Sequence, residues 1–530
     1  MTLPNPASGL PESRVLIIGT GGTICMQNGP DGLQPTQGFL ESAMAPRPSF
    51  NDMSSSSFSS PSSSGTSTPM NHAVPIPAVF RGQPITIPSL RTPPTAYQRH
   101  VRYGILEFDP LLDSSSMSAG DWAAMALAVR DNYHLFDGFV ILHGTDSLAH
   151  TASALSFMMA NLGKPVILTG SQAPIFALQS DAVDNLLGSL IIAGTFVIPE
   201  VSLFFHHKLY RGNRTTKVSS ASFEAFASPN CEPLAKVNGL GIDVNWPHVL
   251  RPTTIAEFSV ATDLDTAHVA CLRVFPGIKP EMVDAVLRLP DLKGLILETF
   301  GMGNVPGGAD GQLTKVIRAA IDRGVIIINV SQCVSGFVSP VYAPGTHLGR
   351  AGVIFGLDLT VEAALTKLSY LLARNLSKAE LTDQLTRSIR GEMTEIPRTT
   401  FSHPGSSLDS AVSRLKPTES AFAALGYAIQ QEELDIVKEL IEGEGNQLLN
   451  HSDYAGNTAV HLAAVSGNAA IMRELLQRGA SVHERNRADN SPLFLATLSG
   501  KEDCAQLLRS AGAHLSSEEV ERGPWRKTVP

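Results

Sequence analysis

Three short, almost purely apolar runs constrain this chain more than anything else in it. Arg14–Gly19 (RVLIIG), Phe139–His143 (FVILH) and Pro165–Gly170 (PVILTG) are too short for helices and lack the alternation of a half-exposed strand. Such runs are strands buried on both faces of a parallel sheet. Each ends in glycine with hydroxyls close by: Thr20-Gly21-Gly22-Thr23, Gly144-Thr145-Asp146-Ser147 and Gly170-Ser171-Gln172. An apolar helical pattern, Ala149–Met159, follows the second. The expectation is a doubly wound α/β sheet whose strand ends face one crevice, where such sheets bind ligands. The plainer alternative at each end is local. Thr145 and Asp146 would merely cap the next helix, and the glycines would only turn the chain.

A chain of 530 residues is more than one core normally organises, so several domains are expected. Residues 1–13 read as a flexible N-terminus and 14–240 as an N-terminal α/β domain. Within it, Ser54–Thr68 is low-complexity and mostly serine, and many prolines follow, so about 51–98 reads as a disordered insertion. Asp113, Ser114 and Ser115 fall in a loop, and Ser118 with Asp121 reads as a capping pair for a helix Trp122–Tyr133. Taken alone, the charged stretch His206–Lys217 reads as a solvated loop. Its adjacent histidines lack metal-ligand spacing, and no metal is assigned.

Residues 241–266 read as a linker and 267–393 as a smaller C-terminal α/β domain. Its expected strands are Val269–Val274, Gly294–Leu297 and Val325–Val330. Its expected helices are Pro280–Leu289, Leu313–Arg323, Thr360–Leu372 and a short Asp383–Glu392. After a polar linker at 394–418 comes a repeat. Thr458-Ala459-Val460-His461-Leu462-Ala463 recurs 33 positions later as Ser491-Pro492-Leu493-Phe494-Leu495-Ala496, and Gly479-Ala480 recurs as Gly512-Ala513. That is the ankyrin period and signature. Residues 419–515 are therefore expected to be α-helical ankyrin repeats, able to bind a protein or dock on the rest of the chain, with a tail at 516–530.

Composition excludes several classes. A formal charge of −9 with no basic cluster argues against nucleic acid. No apolar run reaches membrane-spanning length. The five cysteines lack CxxC spacing, and the polar N-terminus lacks a signal-peptide core, so a cytoplasmic protein is expected.

TGGT after the first strand, then LLDSS, LHGTD, TGSQ and LYRGNRTTK occur together and in that order. This set resembles the L-asparaginase family, specifically its cytoplasmic type I branch, which includes members with C-terminal ankyrin repeats. The resemblance covers about Arg14–Gly391 apart from the serine-rich stretch. It implies that Thr23 is the nucleophile, that Thr145 and Asp146 are the second catalytic threonine and its aspartate, and that Lys217 completes that group. Asp113 and Ser114 match residues that hold the substrate's α-amino and α-carboxylate groups. Ser171 and Gln172 are weaker candidates for substrate contact. The implied reaction is hydrolysis of L-asparagine to L-aspartate and ammonia through an acyl-threonine, with no cofactor, in a homodimer or homotetramer.

These residue types suit that chemistry. A threonine hydroxyl needs a neighbouring base to become a nucleophile, and a lysine accepts a proton near neutral pH only where its surroundings disfavour the ammonium. Two positions depart from the family pattern. Many members carry a tyrosine about ten residues after the nucleophile; here Leu33 stands there, and the C-terminal domain loop that supplies a tyrosine in some relatives has Phe300. Bacterial type I enzymes bind asparagine at an allosteric site containing an arginine. Here Glu298 stands there, although Thr216 and Cys333 match other members, so a bacterial-type site is not expected. Two rival readings are a catalytically impaired ankyrin scaffold and the amidase of a tRNA-dependent amidotransferase, which shares TGGT and HGTD. Retention of all four catalytic residues opposes the first, and the lack of a basic surface opposes the second. A serine esterase would require a GxSxG elbow, which the sequence lacks.

Overall fold

The computed structural model describes residues 10–29, 32–52, 73–306, 311–339, 343–394, 417–453 and 455–523. A ten-stranded sheet organises the N-terminal half. In chain order its strands are β1 (Glu12–Gly21), β2 (Val74–Phe80), β3 (Gln83–Arg91), β4 (His100–Leu112), β5 (Gly138–Leu142), β6 (Val166–Thr169), β7 (Val201–Phe205), β8 (Lys208–Arg211), β9 (Ala235–Asn238) and β10 (Gly241–Val244). They lie in the order β10-β9-β8-β7-β6-β5-β1-β4-β3-β2. The five central strands, β4 to β7 through β1, run parallel, and antiparallel hairpins flank them.

The apolar runs form the middle of this sheet because both faces are covered. Phe139 and Ile141 pack with Trp122, Leu148 and Leu155 from helices Ala119–Asn132 and Leu148–Met158. Val140 and Leu142 point the other way, against Leu186 and Leu190 of helix Ala182–Thr195. Alternate side chains of one strand thus enter two cores, which demands apolar residues at every position. Ser118 and Asp121 form the expected capping box, with the Asp121 carboxylate accepting from the Ser118 N–H at 2.8 Å.

Three expectations are corrected. Residues 74–91 belong to the sheet: β2 and β3 form its edge hairpin, with Pro75 opposite Pro88. Proline is compatible with the edge strand β2, which has no ladder partner on its outer side. Residues 53–72 of the expected insertion lie outside the described residues. The expected linker at 241–266 begins inside the sheet as β10, and Ser259–Val260 pairs with Met159–Ala160. The last helix of the second domain is Lys378–Thr386 rather than 383–392.

The second domain has a four-stranded parallel sheet, β11 (Val269–Arg273), β12 (Gly294–Thr299), β13 (Ile326–Ser331) and β14 (Ile354–Phe355). Helices Pro280–Leu287 and Gln312–Asp322 cover one face, and Val361–Leu372 covers the other. Beyond it, paired helices from Pro417 to Ser510 share one apolar core. Gly467, Gly479, Gly500 and Gly512 terminate them in the left-handed region, as the repeat period dictates.

The ankyrin array docks on the first domain through a buried polar seam. The Lys164 ammonium donates to the carbonyls of Tyr133 and Phe136, each at 2.6 Å, and lies 2.9 Å from His514 Nε2. The rings of His134, His483 and His514 cluster around Tyr133. Burial holds all three imidazoles below their usual range and brings Lys164 down to about 7. At the rim, Arg485 faces Asp137 at 3.9 Å, and Arg14 reaches Glu518 at 3.5 Å.

Candidate active site

The ends of β1 and β5 meet through glycine. A Cβ on Gly22 would lie 2.4 Å from the Gly144 nitrogen, and one on Gly144 would lie 2.3 Å from Ser114 Oγ. Real Cβ atoms do not approach so closely, so three segments converge here only because two side chains are missing. Gly21 and Gly22 also have φ of 130° and 92°. Thr20 ties the two ends together by donating to the Leu142 carbonyl at 2.7 Å. Thr23 and Thr145 each stand one residue beyond these touching glycines.

Lys217 closes the group. Its Nζ donates to Thr145 Oγ1 and to Asp146 Oδ1, both at 2.9 Å. The Thr145 hydroxyl donates onward to Gln172 Oε1 at 3.3 Å. Thr145 is buried, Lys217 is mostly covered and Asp146 is open to solvent. Thr23 is part-exposed at the start of a short 3-10 turn, and its hydroxyl makes no hydrogen bond among the described residues. Of the residues singled out from sequence, Thr145, Asp146, Lys217 and Gln172 are therefore joined by hydrogen bonds, and Thr23 directly follows the glycine that touches Gly144.

The other candidates differ. Ser114 is buried against Gly144. The Asp113 carboxylate is exposed and accepts from the Ser115 N–H at 3.0 Å and hydroxyl at 2.7 Å, which hold it below the usual carboxylate range. Ser171 is buried and commits its proton to the Ala173 carbonyl at 2.6 Å, shaping the loop.

Several supporting residues escaped the sequence reading. Asp181 accepts from the backbone N–H groups of Gln172 and Ala173 and fixes the loop that carries Gln172. Its sequence signal was only its place ahead of helix Ala182–Thr195. The stretch 206–217 is also corrected: much of it is buried rather than solvated. Arg211 makes a bidentate pair with Glu200, and Arg214 lies 3.0 Å from Asp358 and donates to Thr394 Oγ1 at 2.7 Å. Asn213 donates to the Arg390 carbonyl at 2.9 Å. These partners lie 11 to 180 positions away in sequence, so the charges look unpartnered until the chain is folded. The second domain thereby clamps the segment that presents Lys217.

At the departing positions, Leu33 is exposed on a hairpin of strands Met26–Gly29 and Gly32–Pro35. Glu298 is paired at 3.2 Å with Arg273 of the neighbouring strand. Among the described residues no helix is long and apolar enough to cross a membrane.

Comparison with known proteins agrees with this architecture. Residues 14–250 match the family "Asparaginase, N-terminal", residues 268–385 the "Glutaminase/Asparaginase C-terminal domain" and residues 425–519 "Ankyrin repeats (3 copies)". The chain is 37% identical to an L-asparaginase of Dirofilaria immitis over 95% of this chain and 83% of that protein. It is 39% identical to a 60 kDa lysophospholipase of Mus musculus over 88% of this chain and 79% of that one. Among solved structures, L-asparaginase I from Vibrio cholerae superposes with a TM-score of 0.58 at 38% identity, covering 72% of this chain and all of that one.

Proposed function

This chain belongs to the asparaginase family, and on that premise we propose that it hydrolyses L-asparagine to L-aspartate and ammonia, with Thr23 as nucleophile. The observation that carries the reading is Lys217 Nζ, hydrogen-bonded to both Thr145 and Asp146, beside the glycine contact from which Thr23 and Thr145 each stand one residue on. Thr23 Oγ attacks the side-chain amide carbon as its proton passes toward the Thr145–Lys217–Asp146 group. The amide nitrogen takes up a proton and leaves as ammonia when the C–N bond breaks, giving an acyl-Thr23 ester. Water adds to that ester, the C–O bond to Thr23 breaks, and aspartate departs as Thr23 regains its proton. Backbone N–H groups at the Gly22 and Gly144 turns stabilise the oxyanion in both halves. No cofactor enters the reaction.

Lys217 holds Asp146 and Thr145 at once, which supports a role in orienting the hydroxyl as well as in proton transfer. The ionised Asp113 suits an α-ammonium group, and Ser114 stands beside it for the α-carboxylate. Ser171 and Gln172 are weaker candidates for substrate contact, Gln172 the better placed because it is hydrogen-bonded to Thr145. Exposed apolar side chains on the loops that follow site residues, Leu33, Phe176, Leu178, Val218 and Phe223, support a homodimer or homotetramer that covers the mouth. Five unpaired cysteines support a cytoplasmic location. The ankyrin array serves a protein partner on the surface left free by its docking.

The test is ammonia release from L-asparagine and from L-glutamine by wild type and Thr23→Ala, with fatty-acid release from lysophosphatidylcholine alongside. Asparagine-dependent ammonia that disappears in Thr23→Ala is the expected result. Fatty-acid release without ammonia would replace this reading with the lysophospholipase one, and silence in every arm would leave the scaffold reading.

A further inference from the structure

Beneath the Gly144 turn runs a buried chain of hydrogen bonds that the reaction above does not use. His143 is the last residue before that turn, and its ring is completely enclosed. Its Nδ1 lies 2.7 Å from the Gly144 carbonyl oxygen and its Nε2 lies 2.9 Å from Thr151 Oγ1. Thr151 Oγ1 in turn lies 2.9 Å from Trp122 Nε1. A carbonyl oxygen can only accept, so Nδ1 carries the proton. An indole nitrogen can only donate, so Thr151 accepts from Trp122. Thr151 then spends its own proton on Nε2, whose lone pair is free because the ring is neutral. The chain has one polarity, and every member has one role. Burial keeps the imidazole neutral, bringing its pKa down to about 4.

The Gly144 carbonyl and the Thr145 N–H belong to one planar trans peptide, in which they point in opposite directions. A carbonyl held inward by His143 therefore turns the Thr145 N–H outward. That N–H has no hydrogen-bond partner among the described residues. The preceding peptide, His143–Gly144, packs on Gly22: a Cβ added there would lie 2.4 Å from its nitrogen and 2.7 Å from its carbonyl carbon. Trp122 belongs to helix Ala119–Asn132 and Thr151 to helix Leu148–Met158, so two helices anchor the chain.

We propose that His143 is a positioning residue for the acyl transfer: it locks the plane of the Gly144–Thr145 peptide so that the Thr145 N–H faces the oxyanion formed when Thr23 attacks. The inference rests on the reading of Thr23 and Thr145 given above. His143 itself touches no substrate and exchanges no proton during turnover.

The test compares His143→Leu, His143→Asn and Thr151→Val with wild type, each first checked for native circular dichroism. His143→Leu fills the space without a donor, and kcat should fall roughly 10- to 100-fold with KM little changed. His143→Asn places an amide N–H where Nδ1–H was, and should recover most of that loss. Its pH–rate profile should keep the wild-type shape, because His143 is not an acid or base in the reaction. Thr151→Val keeps the ring but removes its second anchor, and should lie between the two. A His143→Leu enzyme within twofold of wild type, or a His143→Asn enzyme no better than His143→Leu, overturns the proposal. Nitrogen NMR of 15N-histidine-labelled wild type, assigned by difference with His143→Asn, should show a neutral Nδ1–H tautomer. An Nε2–H tautomer there refutes the relay whatever the activity. Turnover surviving in Thr23→Ala sinks the nucleophile assignment instead, so the two failures are distinguishable.

Discussion

Replacing Gly163 with alanine should loosen the ankyrin array from the enzyme while leaving the active site intact. Gly163 sits just before β6 with no positive φ, so alanine brings no backbone strain of its own. Its new Cβ would lie 2.5 and 2.6 Å from Cδ2 and Nε2 of His483, which belongs to the array. Ordinary contact requires the ring to withdraw by roughly 0.8 Å. The ring cannot yield alone, because it packs edge-on against Tyr133 and beside His514, which in turn meets Lys164. Overpacking of this kind costs about 1–3 kcal/mol, and separating the two surfaces relieves it. The docked-to-undocked ratio should then fall about 5- to 150-fold. Backbone hydrogen exchange is the assay, followed at 132–136 and 480–486, with Gly239→Ala as control because nothing lies within 4 Å of its Cβ. Exchange should accelerate at both segments in Gly163→Ala only. Equal exchange in the two variants would refute the docking geometry and the reasoning built on it.

Three further outcomes are expected. Gly22→Ala combines a φ of 92° with a 2.4 Å clash against Gly144, so it should cost about 2–5 kcal/mol of stability and abolish turnover, measured by thermal melting and ammonia release. Lys217→Met removes both hydrogen bonds of Nζ and should lower kcat at least 100-fold with little change in melting temperature, since the lysine is not deeply buried. His461 in the array and His143 in the sheet are buried, with pKa values brought down to about 4 from the usual 6.5. Below pH 6.5 the unfolded chain binds protons that the folded chain refuses. Their stability contribution is therefore complete above pH 6.5 and declines as pH falls to about 4, by roughly 1.4 kcal/mol per pH unit for each group. Denaturant midpoints that stay flat from pH 6.5 to 4.5 would contradict this.

Some features of the protein are fixed locally, and sequence alone determines those. A strand buried on both faces must be apolar throughout, so RVLIIG, FVILH and PVILTG announce the centre of the sheet. Thr23, Thr145 and Asp146 are legible because they sit where such strands end. Ser118 with Asp121 and the 33-residue repeat are equally local, one a bond across a single turn and the other a periodicity. Tertiary structure decided everything whose reason lies far along the chain. The proline-rich stretch 74–91 looks unfoldable until it pairs as a hairpin at the rim of the sheet. Arg211 and Arg214 look solvated until Glu200, Asp358 and Thr394 arrive to neutralise or bond them. Lys217 finds Thr145 across 72 positions, and His143 gains a direction only when Thr151 and Trp122 close its relay. Backbone preference and hydrophobic period act within a few residues, whereas charge pairing and hydrogen-bond polarity act across space, so only the folded chain reveals which partner each polar group has.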